Sequence, residues 1–259
     1  MAFRKESEVG LSNNDTVSSL LSLLTALSGF PKKISLLFIY TLYFCNMKKN
    51  SDVSLKTAEY LLQIKAIKLN LQKPFTWASG WKSPIYCDNR KTLSYPKIRT
   101  YVRQRIATMI QEEFGSPDVI AGVATGAIAH GVLVAQDLGL PFVYVRSAAK
   151  DHGLTNLIEG VVEKGQSVVV VEDLISTGTS SLKAVEALRE AGCDVKGMVA
   201  IFTYGFPEAE ENFKNAKCKL FTLSNYSALL EQAADNNFIN EADLPYLAQW
   251  REAPDKWGK

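Results

Sequence analysis

A chain of 259 residues with 47% apolar and 22% charged residues is long enough for one or two domains with a buried core. A net charge of +2 excludes a dominant nucleic-acid surface, which would cluster Lys and Arg, and leaves room for a local anion site. Four cysteines with no CxxC pair (Cys45, Cys87, Cys193, Cys218) and two histidines (His130, His152) argue against a structural zinc or a multi-histidine metal centre, and suit a reducing, cytoplasmic setting.

The first 46 residues differ in style from the rest. Residues 10–30 are rich in Ser, Leu and Asn and show no periodicity. Lys32 and Lys33 then precede an apolar run from Ile34 to Cys45. A membrane span needs roughly 20 apolar residues, so this run is too short and no membrane contact is expected. Residues 1–46 are read as an extension outside the fold, either a mis-assigned start upstream of Met47 or a disordered leader. Residues 47–259 are read as one domain.

From residue 54 the pattern becomes regular. Leu55, Ala58, Leu61, Leu62, Ile64 and Ile67 predict a helix over 54–69. Ile98, Val102, Ile106, Ile110 and Phe114 recur every fourth residue, and Pro96 suits the first turn of that helix. Short apolar runs then alternate with helical stretches. Strands are expected at 119–124, 141–145, 168–171, 195–204 and 218–223. Helices are expected at 127–138, 179–191, 226–236 and 241–251. Such alternation implies βαβ units and an α/β fold with a mostly parallel sheet.

The central signal is the run Val168-Val169-Val170-Val171-Glu172-Asp173-Leu174-Ile175-Ser176-Thr177-Gly178-Thr179-Ser180. A β-branched strand buried on both faces ends at two adjacent carboxylates. A turn rich in hydroxyls follows, and then a helix begins. Ligands of open α/β sheets bind outside the carboxyl ends of the strands, and a helix N-terminus attracts anions. The turn therefore suits a phosphate, and the carboxylates suit vicinal sugar hydroxyls. A plain strand-to-helix turn with a Ser or Thr cap would explain the hydroxyls alone. It would not explain two charges at the mouth of a four-valine strand, which are costly without partners.

This run resembles the signature for phosphoribosyl pyrophosphate (PRPP) in type I phosphoribosyltransferases. The resemblance implies their fold, a mostly parallel central sheet flanked by helices with a small N-terminal hood. It also implies PRPP contacts from Glu172, Asp173, Leu174, Ile175, Ser176, Thr177, Gly178, Thr179 and Ser180. The segment Gly122-Val123-Ala124-Thr125-Gly126-Ala127 lies between a strand and a helix, where that family contacts pyrophosphate through backbone groups. Thr125 and Gly126 are the candidates there. His130, inside the following helix, is read as a packing residue or a support for site residues rather than a catalytic one.

Two further segments resemble the orotate phosphoribosyltransferases in particular. Arg146-Ser147-Ala148-Ala149-Lys150-Asp151-His152-Gly153 is similar to their mobile catalytic loop. The resemblance implies Arg146, Lys150 and His152 as catalytic and PRPP-binding groups, with Asp173 as the fourth catalytic residue. Many members carry a further lysine where this chain has Ser147 and Ala148. Phe75 to Arg90, with its Ser79-Gly80-Trp81-Lys82-Ser83-Pro84 core, is similar to their hood. Lys82, Arg90 and Ser176 are the orotate candidates, and Ala78 stands where one branch has a lysine. Trp77 and Trp81 are open to a plain packing role.

The resemblance further implies Mg²⁺ as cofactor, held mainly through PRPP with no direct protein ligand set. It implies a homodimer whose catalytic loop reaches the neighbouring subunit's site. The expected reaction turns PRPP and orotate into orotidine 5′-monophosphate and pyrophosphate. Two alternatives stand beside it: transfer to another base, and a PRPP-sensing regulator without turnover.

Overall fold

Ser51 starts the first helix, α1 (Asp52–Gln63), by accepting a hydrogen bond from the Ser54 N–H at 3.1 Å. The helix stops earlier than its apolar spacing suggests. Lys65 turns to a positive φ of 54°, and Ile67–Leu69 leaves as strand β1. The expected helix over 54–69 is therefore a helix and a strand. Leu61 and Ile67 are both buried, so an apolar spacing that fits one helix is shared by two elements.

The computed structural model describes residues 50–77, 79–146 and 157–257. The extension read at 1–46 lies outside these residues, as do Ala78, Lys150 and His152.

The remaining elements follow in chain order. The hood strands are β2 (Phe75–Thr76), β3 (Lys82–Ser83) and β4 (Ile85–Cys87). A 3₁₀ helix, Asn89–Ser94, leads into α2 (Pro96–Phe114). Then come β5 (Val119–Val123), α3 (Ile128–Leu138), β6 (Phe142–Val145) and β7 (Ile158–Glu159). These are followed by β8 (Ser167–Ile175), α4 (Thr179–Glu190), β9 (Asp194–Thr203) and α5 (Pro207–Asn215). The chain continues with β10 (Leu220–Asn225), α6 (Tyr226–Asp235), a 3₁₀ turn at Glu241–Asp243 and α7 (Leu244–Glu252). Among the described residues no helix is long and apolar enough to cross a membrane.

The central sheet has the order β10-β9-β8-β5-β6-β7, with the short β7 antiparallel and the other neighbours parallel. Val119, Ala121, Val168, Val170, Met198 and Ala200 form a core on one face with α4 and α5. Helices α1, α2 and α3 also pack on the sheet. The every-fourth-residue stripe of α2 is buried from Ile98 to Ile110. The hood is two small antiparallel pairs, β1 with β4 and β2 with β3.

Trp77, in the β2–β3 hairpin, donates its indole N–H to the Ile85 carbonyl at 3.0 Å. Its ring lies 5.0 Å from Tyr204 and 5.7 Å from Trp250 of α7, centroid to centroid. Trp250 is fully buried and also meets Phe206 and Tyr226. Emptying that volume with Trp250→Ala should cost about 3–5 kcal/mol. In thermal melts this should lower Tm by roughly 2–4 °C for each kcal/mol lost.

Candidate active site

The sheet order places a switch point between β5 and β8. From β5 the chain proceeds outward to β6, whereas β8 leads to β9 and β10 on the other side. The crevice beyond the carboxyl ends of these two strands is where such folds take ligands.

Strand β8 is longer than the four valines suggest. It pairs with β5 from Val119↔Val168 to Gly122↔Val171, and there that pairing ends. On the other side it keeps pairing with β9 up to Ile175↔Thr203. Glu172 and Asp173 thus lie within the strand rather than at its end, at the level where β5 turns away. The sequence expectation of a strand closing at the acidic pair is corrected in this respect. One-sided support by β9 carries the backbone four residues further, and the turn shrinks to Ser176, Thr177 and Gly178.

Glu172 is buried, with 5% of its surface exposed. Its Oε1 accepts from the Asp173 N–H at 2.9 Å, and its Oε2 accepts from the Ser181 hydroxyl at 2.7 Å. Burial, and next the charge of Asp173, push its carboxyl well above the usual carboxylate range. The Asp173 carboxyl reaches the other loop. A Cβ built on Gly126 would overlap it, so only glycine admits this approach of β8 to the turn after β5.

Because Glu172 binds a proton more tightly in the folded chain, folding at neutral pH must either bury its charge or take up a proton, and either costs stability. That cost disappears as pH falls through the raised folded value to the ordinary 4.5. Glu172→Gln should therefore melt a few degrees higher than the natural chain at neutral pH, while losing turnover. The gap in Tm should close as pH approaches the ordinary value. A lower Tm for the variant at neutral pH would show that the two donors fully offset the charge.

Gly178, at φ 79°, is the N-cap of α4, and no side chain caps the helix. The hydroxyls of Ser176 and Thr177 are not used as caps, which removes the plain capping account of this turn. The first N–H groups of α4 remain open to an anion. Asn212 on α5 holds the turn by donating to the Thr177 carbonyl at 2.9 Å. The Thr177 and Thr179 hydroxyls lie 3.2 Å apart. The side chain of Ile175 is fully buried, so it can meet a ligand only through its backbone.

Among the described residues, the other sequence candidates sit in the turn after β5, at the end of β6 and in the hood segment. Thr125 is exposed in the turn after β5. Arg146 follows β6, its N–H donates to the Leu157 carbonyl at 2.9 Å, and its guanidinium faces Glu159 at 3.6 Å. The β6–β7 pair thus brings together the two ends of the segment carrying Lys150 and His152. Arg90 is exposed and donates to Asp88 at 2.7 Å. That bond raises its pKa most, and the charge of Asp173 contributes as well. Lys82 is exposed and donates to the Thr76 hydroxyl within the hood hairpin at 2.8 Å. His130 is buried, its Nε2 lies 3.3 Å from the Thr92 hydroxyl, and burial lowers its pKa.

Sequence reasoning missed Asn89, Ser181 and Asn212. Ser181 adjoins the signature and could have been added by extending it one residue. Asn89 and Asn212 lie in elements whose apolar pattern gave no signal.

Residues 93–228 match the family model of the phosphoribosyl transferase domain. A match of that span, on a sheet whose switch point carries this acidic pair and an uncapped helix, defines a type I phosphoribosyltransferase. The orotate phosphoribosyltransferase of Phocaeicola vulgatus is 64% identical over 200 residues, 77% of this chain and 94% of the relative. That of Listeria monocytogenes is 53% identical over 208 residues, 80% of this chain and 100% of the relative. The solved orotate phosphoribosyltransferase of Aeropyrum pernix superposes with a TM-score of 0.62 at 28% identity, covering 71% of this chain and 99% of that one. The chain belongs to the orotate phosphoribosyltransferase family.

Proposed function

We propose that this chain moves the 5-phosphoribosyl group of PRPP onto the ring nitrogen of orotate. The products are orotidine 5′-monophosphate and pyrophosphate, in pyrimidine biosynthesis in the cytoplasm. The observation that carries this reading is the contact between Gly126 and the Asp173 carboxyl. It sets an acidic pair between two strand-to-helix turns, as a sugar with a phosphate group at either end requires.

The turn Ser176, Thr177, Gly178, Thr179 and Ser180 donates to the 5-phosphate, with the backbone of Leu174 and Ile175 leading into it. Glu172 and Asp173 hold the ribose hydroxyls, and Asp173 offsets positive charge as the anomeric C–O bond loosens. Thr125 and Gly126 face the pyrophosphate through their backbone. Arg146, Lys150 and His152 close over the leaving group in a homodimer, from a loop that reaches the neighbouring subunit's site. Ser176, Lys82 and Arg90 orient orotate. The C–O bond breaks as the C–N bond forms, pyrophosphate leaves with the bonding pair, and the ring nitrogen gives up its proton to water or the departing pyrophosphate.

Both Glu172 oxygens already accept hydrogen bonds from the chain. With both oxygens so engaged, Glu172 would not ligate Mg²⁺ directly, and the ion would be held mainly through PRPP. Bound there, the ion supplies neutralisation of charge on the leaving group. Glu172 and Asp173 place the ribose to which it is attached.

The test is the fall in orotate absorbance when PRPP and Mg²⁺ are added to the full chain. A fall that needs all components is expected. No fall with orotate but turnover of a purine would assign another base. PRPP binding without turnover of any base would favour the sensor.

A further inference from the structure

Asn89 takes no part in the substrate contacts above, yet it is fully buried against the acidic pair. It opens the 3₁₀ helix that joins the hood to α2. Its side-chain Nδ2 donates to the Asp173 carbonyl at 2.6 Å, across 84 residues of sequence. Past Val171, β8 no longer has β5 beside it, so the amide of Asn89 supplies the partner for this carbonyl. The amide cannot flip freely, because the Cys87 thiol donates to its Oδ1 at 3.2 Å. The Asn89 carbonyl in turn accepts from the Thr92 hydroxyl at 2.6 Å, and Thr92 touches His130.

We propose that Asn89 is a positioning residue, holding the Asp173 peptide so that its carboxyl meets the ribose at the angle the transition state needs. This rests on the role given to Asp173 above. The bond to Asp173, its orientation by Cys87 and its anchoring by Thr92 form one chain from the hood to β8. A residue that merely filled space would need none of the three. The titratable and charged groups around it are Cys87, Asp88 and Arg90 from the hood side, His130 from α3, and Asp173 from β8.

Asn89→Asp keeps the shape and changes the donor. Ionised, the introduced carboxyl cannot donate to the Asp173 carbonyl. Protonated, it can donate there and still accept from Cys87. Above the pKa of the introduced carboxyl, which full burial beside Asp173 raises, kcat should fall about 10–100-fold, with KM for PRPP changing much less. The ratio of variant to natural kcat should then rise as pH is lowered. A ratio that stays the same at every pH, whether near one or far below it, would overturn the proposal.

Should that variant fail to fold, the Cys87 pair decides. Cys87→Ala leaves the amide free to turn and should lower kcat about threefold or more, while Cys87→Ser keeps a donor and should restore it. Equal kcat in both would overturn the proposal. A natural chain without PRPP-dependent loss of orotate would remove the functional reading and this proposal together. An active natural chain with unresponsive variants would remove this proposal alone.

Discussion

Gly126→Ala should fold and yet lose about 10²-fold in kcat. A Cβ at this position would overlap both oxygens and the carboxyl carbon of Asp173. The loop is exposed at Thr125 but closed toward β8, so the strain falls on the carboxyl rather than on the core. Asp173 must then swing away from the place where we propose that it meets the ribose. Steady-state turnover of PRPP with orotate checks this, alongside a thermal melt to confirm folding. A double-mutant cycle sharpens it. In an Asp173→Ala background the obstructed carboxyl is gone, so adding Gly126→Ala should cost almost nothing more. Full additivity would place the cause of the loss elsewhere in the loop.

Lys150→Ala should lower kcat by about 10²–10³-fold with Tm essentially unchanged. The β6–β7 pair joins the two described flanks of the segment that contains this lysine in the sequence. A cation reaching the departing pyrophosphate acts mainly in the transition state. The loss should therefore appear equally in kcat and kcat/KM. Near-normal turnover would sink the assignment of this loop. Ser147 and Ala148 offer no second lysine to take over, which makes the expected loss larger than in a chain that has one.

How far the sequence reveals the molecule depends on where each element gets its order. The stripe Ile98, Val102, Ile106 and Ile110 marks α2 because one helix face is buried along its length. The four valines of β8 mark a strand covered on both faces. The residues from Glu172 to Ser180 are legible because one short run sets two carboxylates beside a hydroxyl-rich turn. The hood strands are not, since β2 and β3 have two residues each and cannot show alternation. Helix α5 is hidden by its acidic surface, with Ala209 and Phe213 as its buried side chains. Asn89 is hidden for another reason. Its meaning lies in a contact 84 residues away, and no local pattern encodes that distance.

The packing of Trp77 on Trp250 joins an early hairpin to a late helix. During synthesis the hood segment leaves the ribosome long before Leu244–Glu252 exists. Its aromatic seat is complete only when α7 arrives and folds against Tyr204 and Tyr226. The central sheet can form in the meantime from neighbouring strands. A nascent chain halted before α7 would thus carry the complete turn after β8 while Trp77 of the hood still lacked its Trp250 partner.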